Sequence, residues 1–247
     1  MIPISLASVA NIRDLGDTRT PDGLNIRPGC LIRSAHLGNA SEADVTYLKN
    51  HHRLSCVVDL RTTGEHDEAE DRTYGIPCIH VPILPDLQAG ISHEKQAEES
   101  TLFPPMQKLY HYLVTDPVCI QGFRRAMGVI LSHDYASGAV LWHCSEGKDR
   151  CGLVTALVLL ALGVDREQIY ADYLTTNIVN LPKAEAIYQR LSGRYPESYA
   201  HSVYQAYIAD RTYLDAAYDI ISSAFLTDTL GFSPDLFASF REQLLTE

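Results

Sequence analysis

A cysteine and an arginine with five residues between them stand in residues 143–152, which read HCSEGKDRCG. Cys144 offers a sulfur nucleophile, and the planar guanidinium of Arg150 can bind two oxygens of one anion. Gly147 removes a side chain where the backbone has to approach a ligand closely. A thiol beside cations at the start of a helix is favoured as the thiolate. The spacing therefore predicts a nucleophilic sulfur that faces a bound oxyanion.

The residues between the cysteine and the arginine form the predicted anion site. If the loop wraps so that successive N–H groups point inward at the head of the following helix, it forms a nest for a tetrahedral oxyanion, and the helix dipole strengthens the binding. The candidate phosphate-binding residues are Ser145, Glu146, Gly147, Lys148, Asp149 and Arg150.

Two other kinds of site do not fit this loop. A zinc site built from His143, Cys144 and Cys151 would have three nearby ligands at the wrong spacing. A nucleotide-binding Walker loop needs Ser or Thr where Asp149 stands and Gly where Trp142 stands. We therefore predict no metal and no cofactor.

The segments on either side of the loop have to position it. Residues 139–142 (AVLW) are an apolar run typical of a buried central strand. Residues 152–162 are almost wholly apolar and end at Gly163, which predicts a buried helix with a glycine stop. The order of strand, loop and helix is typical of a ligand-binding unit at the edge of a sheet.

The rest of the chain alternates helices with a few strands, which predicts an α/β domain. Strands are predicted at residues 56–60 and 78–83, and helices at residues 41–50, 106–114, 120–132 and 165–173 and after Ser233-Pro234. Residues of the C-terminal part recur at intervals of three and four, which predicts one packed helix face formed by Tyr204, Tyr207, Arg211, Leu214 and Tyr218.

The composition limits the class of protein. The 247 residues are enough for one good core, so we expect a single domain over residues 1–247. The formal charge of −11 disfavours nucleic acid as a partner. The sequence has no long apolar run that would span a membrane, and its six cysteines have no disulfide-framework spacing. These features favour a cytoplasmic location with reduced thiols, and they leave the oligomeric state open.

The loop resembles the phosphate-binding loop of the cysteine-dependent protein tyrosine phosphatases. Its Lys-Asp pair before the arginine is similar to the HCxxGKDRTG motif of bacterial tyrosine and phosphoinositide phosphatases of dual or triple specificity. Four further segments resemble motifs of that family, namely residues 11–16 (NIRDLG), 31–37 (LIRSAHL), 58–61 (VDLR) and 172–177 (DYLTTN).

The resemblance implies a central, mainly parallel sheet flanked by helices, with a helical lid insertion at about residues 86–135. It also implies a phosphoric monoester hydrolase that acts on phosphotyrosine, with phosphoserine, phosphothreonine or phosphoinositide as further substrates. Cys144 would attack phosphorus and form a phosphocysteine intermediate without a metal. The expected partner is a phosphorylated protein or a phosphoinositide.

The resemblance names two candidates for the general acid that protonates the leaving oxygen. Asp149 inside the loop is the candidate of this family, although Lys148 and Arg150 favour its ionised form until a phosphate dianion binds. Asp86, just after the second strand, is the alternative and is equally a turn residue after proline. Lys148 either takes part in phosphoinositide recognition, as in relatives, or balances the charge of Glu146.

Cys151 departs from the family pattern, in which Thr or Ser follows the arginine. A thiol is a weaker hydrogen-bond donor than a hydroxyl, so we predict slower breakdown of the phosphocysteine than in Cys151→Thr. If the two α-carbons lie within disulfide reach, peroxide would link Cys144 to Cys151. Residues outside the loop are candidates to support it, namely Arg13, Asp14, Arg33, Ser34, Asp59 and Asn177.

Two other functions remain open at this point. A rhodanese-like sulfurtransferase also places a thiolate in a loop of backbone donors, although the Lys-Asp-Arg run argues against it. A catalytically dead phosphate-binding module is the other alternative, and the substitution at Cys151 is the feature that favours it.

Overall fold

The computed structural model describes residues 1–85 and 105–247. Within these residues, eight strands lie in two sheets. The strands are β1 (Ile2–Pro3), β2 (Arg13–Asp14), β3 (Asn25–Ile26), β4 (Leu31–Ser34), β5 (Leu54–Asp59), β6 (Cys78–His80), β7 (Ala139–His143) and β8 (Leu245–Thr246). Six of them form one sheet in the order β1-β2-β4-β7-β5-β6, and β3 pairs with β8.

Ten α-helices of the described chain surround these sheets. They are α1 (Glu42–His52), α2 (Thr63–Glu68), α3 (Met106–Thr115), α4 (Pro117–Leu131), α5 (Asp149–Leu162), α6 (Arg166–Thr175), α7 (Asn177–Leu191), α8 (Glu197–Tyr207), α9 (Arg211–Tyr218) and α10 (Pro234–Leu244). A short π-helix spans Phe225–Thr229. None of the described helices combines the length and the apolar character needed to cross a bilayer.

The four strands β4, β7, β5 and β6 are parallel, whereas β1 and β2 add antiparallel strands at one edge. Strand β7 lies between β4 and β5, and His143 at its end is in register with Ser34 and Asp59. The carboxyl ends of three strands therefore meet where the loop of residues 144–148 begins. The predicted α/β architecture with a mainly parallel sheet is confirmed.

Both faces of the sheet are buried, which explains why β7 reads as a continuous apolar run. Alternate residues enter different cores, because Leu141 packs with the cluster that includes Val45 of α1, and Trp142 packs with the cluster that includes Leu157 of α5. Trp142 also donates from Nε1 to Thr155 Oγ1 at 3.1 Å. The strand that leads into the loop is therefore fixed from both sides.

The helix after the loop begins earlier than predicted. It starts at Asp149 rather than at residue 152, so Asp149 and Arg150 lie in its first turn. A run of polar residues reads as loop in the sequence, but an acidic residue in the first turn is favoured by the helix dipole. The glycine stop is confirmed, since Gly163 has a left-handed φ of 83°.

The single helix face predicted for the C-terminal tyrosines is wrong. Helix α8 ends at Tyr207, and Ile208 is extended. The Asp210 carboxylate caps a new helix, α9, by accepting from the Thr212 N–H at 2.9 Å. The regular spacing in the sequence thus runs across a helix boundary, because a local cap overrides the periodic pattern.

Candidate active site

Cys144 follows the last residue of β7 and lies at a pocket of about 410 Å³. The residue is 3% exposed. The pocket is also lined by four more residues of the loop and first helical turn, namely Ser145, Glu146, Asp149 and Arg150. The structure thus brings the predicted nucleophile and the predicted arginine together at one cavity.

The carbonyl groups of the loop are bound on its outer side. The Asn11 side-chain amide donates to the carbonyls of Glu146 at 2.9 Å and Gly147 at 3.1 Å, and Arg33 donates to the Gly147 carbonyl at 2.7 Å. The His36 N–H donates to the carbonyl of Ser145 at 3.2 Å. These bonds hold three successive peptide groups in one orientation.

The N–H groups of residues 145–148 donate to no acceptor within residues 1–85 and 105–247. No described side chain caps α5 at its N-cap residue, Lys148. Unpaired N–H groups at the start of a helix bind anions, because the helix dipole adds to the hydrogen bonds. The loop therefore has the donors that an oxyanion site requires.

Gly147 is needed at its position for steric reasons. It has a left-handed φ of 67°. A Cβ atom there would lie 2.5 Å from the carbonyl oxygen of Ser34, which is backbone and cannot move aside. The loop therefore rests directly against the carboxyl end of β4.

Arg150 is held by a carboxylate from α2. Its Nη1 atom donates to Glu65 Oε2 at 2.5 Å, and its Nη2 atom donates to Glu65 Oε1 at 2.9 Å and to Ser145 Oγ at 3.2 Å. Ser145 in turn donates to Glu65 Oε1 at 2.6 Å. Burial alone would raise the pKa of Glu65, but the charge and hydrogen bonds of Arg150, with the bond from Ser145, lower it to about 2.

Glu65 is positioned by the start of its own helix. The Thr62 side chain accepts from the Glu65 N–H at 3.2 Å, and the Thr62 N–H donates to Glu65 Oε2 at 3.0 Å. This reciprocal pair is a capping box. Glu65 is not among the predicted site residues. The Thr-x-x-Glu spacing after a predicted strand indicates the start of a helix, but it does not indicate that Glu65 pairs with Arg150.

Asp149 receives a hydrogen bond from the segment predicted as a lid. The Tyr110 hydroxyl on α3 donates to Asp149 Oδ1 at 2.7 Å, and the Tyr173 hydroxyl lies 2.5 Å from that of Tyr110. The Lys148 ammonium lies 3.3 Å from the same Asp149 oxygen. Tyr110 is not among the predicted site residues, because a lid predicted over residues 86–135 does not specify which of its side chains reaches the loop.

Lys148 does not face the pocket. Its ammonium donates to the carbonyls of Ala206 and, at 3.0 Å, Ile208, where α8 ends. The residue is 1% exposed. A cation at the carboxyl end of a helix is stabilised by the dipole and by the unpaired carbonyls. The placement of the ammonium therefore gives no support to phosphate binding by the Lys148 side chain, whereas its backbone N–H is one of the loop donors.

Two arginines and one aspartate lie beneath the loop. Asp172 on α6 accepts from Arg13 Nε at 2.7 Å and from Arg33, and all three side chains are at most 4% exposed. Burial raises the pKa of Asp172, but the charges of Arg33 and Arg13 outweigh this effect and lower it. Arg33 therefore connects this ion pair directly to the loop carbonyl of Gly147.

A second charged network lies behind Cys144. His143 Nε2 lies 2.8 Å from Asp71 Oδ2, and Arg61 donates to Asp59 at 2.9 and 2.8 Å. In the described residues, two groups bring three potential metal ligands within 4.8 Å, namely Asp59-His66-His80 and Asp59-Asp71-His143. The Asp59 carboxylate in both already accepts from Arg61, so these contacts form a charge network in which a cation would compete with a guanidinium.

Cys151 is fully buried, and its thiol donates to the carbonyl of Trp142 at 3.7 Å. Burial raises the pKa of Cys151 to about 11, so this sulfur is a neutral thiol at physiological pH. Its effect on the breakdown of the intermediate and its disulfide with Cys144 stay predictions.

Three of the residues that line the pocket are leucines, namely Leu84, Leu109 and Leu113, and together they are called its apolar wall below. Lys183 of α7 also lines the pocket and donates to Glu146 Oε1 at 2.6 Å. The pocket thus combines the candidate anion-binding loop with apolar lining residues.

The other predicted residues have different placements. Asp86 lies outside the described residues. The Asp14 carboxylate accepts from the N–H groups of Gly16 and Gly29, and Asn177 exchanges two hydrogen bonds with Ala209, so the hydrogen bonds of these two side chains within the described residues do not reach residues 144–148. The Ser34 hydroxyl donates to the carbonyl of Ala35, and the carbonyl of Ser34 contacts the loop.

The sequence profile of the tyrosine phosphatase family matches residues 4–246, which is almost the whole chain. The chain belongs to the tyrosine phosphatase family. The predicted resemblance is therefore confirmed, and so is the prediction of a cysteine-dependent phosphatase.

Relatives by sequence agree with this assignment. A protein of Cupriavidus necator that is named as a tyrosine-protein phosphatase is 29% identical over 190 residues, covering 77% of this chain and 68% of that protein. The triple specificity protein phosphatase PtpB of Mycobacterium tuberculosis is 30% identical over 194 residues, covering 68% of this chain and 66% of that protein. The chain thus spans about two thirds of the length of these relatives.

Solved structures with some likeness are more distant. The catalytic core of Siw14 is 12% identical with a TM-score of 0.37, and the match covers 88% of this chain and 95% of that chain. TpbA of Pseudomonas aeruginosa is 14% identical with a TM-score of 0.35, and the match covers 80% and 89%. Likeness at this level carries no argument about the function of this chain.

Proposed function

We propose that the protein hydrolyses phosphate monoesters of tyrosine through a phosphocysteine intermediate. The observation that carries the proposal is the placement of Cys144, Arg150 and a run of unpaired loop N–H groups at one pocket. The N–H groups and the guanidinium bind the three non-bridging oxygens of the phosphoryl group. The sulfur then lies below phosphorus, opposite the leaving oxygen.

In the first step, the Cys144 thiolate attacks phosphorus. The S–P bond forms while the P–O bond to the tyrosine breaks, and the leaving oxygen takes a proton from Asp149. Arg150 and the loop amides stabilise the charge on the equatorial oxygens as the transition state forms. The products are the free tyrosine hydroxyl and phosphocysteine.

In the second step, water attacks phosphorus and the S–P bond breaks. The Asp149 carboxylate takes a proton from the water, which returns Asp149 to its acid form and Cys144 to the thiolate. Inorganic phosphate leaves the pocket. The two steps balance without a metal ion or a redox group.

The apolar wall supports an aromatic substrate. Leu84, Leu109 and Leu113 would contact the ring of phosphotyrosine when its phosphate is bound at the loop. Phosphoserine, phosphothreonine and phosphoinositides are further candidates, and the name of the mycobacterial relative supports a wide specificity. The buried ammonium of Lys148 gives no support to phosphoinositide recognition by that residue.

The experiment measures hydrolysis of a phosphotyrosine peptide, a phosphoserine peptide and phosphoinositides in chelator, by the wild type and Cys144→Ser. We expect release of phosphate from the phosphotyrosine peptide by the wild type and none by Cys144→Ser. Trapping of a phosphorylated enzyme on rapid acid quench would identify the intermediate. No hydrolysis of any substrate, or transfer of sulfur from thiosulfate to cyanide instead, would contradict the proposal.

Asp149 is our proposed general acid, because it lines the pocket beside Cys144. Asp149→Asn and Asp86→Asn, compared on aryl phosphates of graded leaving-group acidity, separate the two candidates. The variant that lacks the true acid should lose about a hundredfold or more in kcat/KM for esters of weakly acidic phenols and little for esters of strongly acidic ones.

A further inference from the structure

Tyr110 is a buried tyrosine whose hydroxyl points at a carboxylate of the pocket. Its residue exposure is 0%. Its one hydroxyl proton is donated to Asp149 Oδ1 at 2.7 Å. The Tyr173 hydroxyl, 2.5 Å away, therefore donates to the Tyr110 oxygen. The three groups form a directed chain from Tyr173 through Tyr110 to Asp149.

We propose that Tyr110 positions Asp149 as the general acid of the reaction, by occupying one carboxylate oxygen so that the other carries the proton to the leaving group. The inference rests on the proposed function and adds a residue on α3 to the machinery. Tyr110 is a positioning residue that acts through Asp149 and does not touch the substrate. Helix α3 thereby contributes to the chemistry as well as to the pocket wall.

The geometry gives the proposal its physical basis. A protonated carboxyl group keeps one oxygen as an acceptor and one as a donor. Because Tyr110 donates to Oδ1, a proton on Asp149 is directed to Oδ2. Lys148 also lies 3.3 Å from Oδ1, so both donors are on the same side of the carboxylate. Burial raises the pKa of Tyr110 well above its ordinary value, so its hydroxyl stays a donor throughout the working range.

Tyr110→Phe removes the hydroxyl and keeps the ring, which packs against Tyr173 and Tyr213. The measurement is kcat/KM for aryl phosphates whose phenols range from strongly to weakly acidic. We expect a loss of about five- to tenfold on the weakly acidic phenols, as for one hydrogen bond, and of less than about twofold on the strongly acidic ones. Loss of a merely structural contact would lower kcat/KM for all the substrates by the same factor.

The matched control is Tyr135→Phe. Tyr135 is equally buried and donates its hydroxyl to the carbonyl of Ile130 at 2.8 Å, away from the residues that line the pocket. We expect Tyr135→Phe to leave the dependence on the leaving group unchanged, even if it lowers stability. If Tyr135→Phe changed the dependence of kcat/KM on leaving-group acidity as much as Tyr110→Phe does, the proposal would be overturned.

A double-mutant comparison isolates the coupling to Asp149. In an Asp149→Asn background, Tyr110→Phe should cause no further loss of kcat/KM for esters of weakly acidic phenols, because the acid that Tyr110 positions is absent. An undiminished loss in that background overturns the inference. If Asp149→Asn lowers kcat/KM by the same factor for weakly and strongly acidic phenols, Asp149 is not the general acid. The inference then falls while the proposed function stands. Absence of any wild-type hydrolysis overturns both.

Discussion

At the scale of single residues, the guanidinium of Arg150 is held in place by one carboxylate. Glu65 is distant from the loop in the chain, yet its carboxylate binds both terminal nitrogens of Arg150. A buried guanidinium needs such a partner, because an unpaired buried charge is costly. A sequence shows the type of residue that needs a partner but not which residue provides it.

Glu65→Gln tests this pair. The depressed pKa of Glu65, about 2, means that the pair stabilises the fold above the ordinary carboxyl range and that this stability is lost as the pH falls towards 2. We expect the variant to lose about 3 kcal/mol at neutral pH and to lose less of its remaining stability on acidification than the wild type. Urea denaturation at pH 7 and pH 3 measures both effects.

The control for Glu65→Gln is Glu185→Gln, which changes an exposed glutamate on α7. This variant should remain within about 0.5 kcal/mol of the wild type at both pH values. Equal stability of Glu65→Gln and wild type at pH 7 would show that the ion pair contributes nothing to the fold.

At the scale of elements, the loop is shaped by its contact with β4 as much as by its own residues. The carboxyl ends of β4, β7 and β5 lie side by side. Gly147 has no Cβ atom at the position where one would collide with the Ser34 carbonyl. The loop conformation is therefore a property of the sheet edge.

A comparison of Gly147→Ala with Gly193→Ala distinguishes the effect of the close contact with Ser34 from the effect of backbone strain. Both glycines have a left-handed φ, at 67° and 77°, but a Cβ atom on Gly193 would meet nothing within 4 Å. Both variants should lose about 1 kcal/mol of stability from strain. We expect Gly147→Ala alone to lose about a hundredfold in kcat/KM as well, because the loop is displaced from Ser34. Similar activity of the two variants would argue against the contact.

The elements of the fold could be predicted largely from local patterns. The Ser41 cap of α1, the strand at 139–142 and the Gly163 stop all follow from short-range rules, and the structure has them. The start of α5 could not be predicted, because its polar first residues fit a loop as well as a helix. The break between α8 and α9 could not be predicted either, because the regular spacing fits one helix as well as two. The contact of α3 with Asp149 could not either, since it depends on tertiary packing.

Across the whole molecule, Asp172 connects the antiparallel edge of the sheet to the helices beyond the loop. It binds Arg13 of β2 and Arg33 of β4, while itself lying on α6. Removing its charge leaves two buried guanidiniums without a counterion. Unlike Glu65, Asp172 is not one of the residues that line the pocket.

Asp172→Asn should therefore destabilise the protein by about 3 to 5 kcal/mol. Asp215→Asn is the control, since Asp215 is 46% exposed and pairs with an exposed Arg166 at 3.0 Å. That exposed pair should contribute at most about 1 kcal/mol. Calorimetric unfolding of both variants measures the difference, and equal losses would contradict the special role of the buried pair.

The bond between Arg13 and Asp172 joins residues 159 positions apart. During synthesis on the ribosome, the sulfur and its arginine emerge before the aspartate that fixes the residues beneath them. The nascent chain therefore contains Cys144 and Arg150 before Asp172 can pair with Arg13 and Arg33, and we expect hydrolysis to require the docking of α6. A chain that ends between the loop and α6 would keep Cys144, Asp149 and Arg150 and lack this buried ion pair.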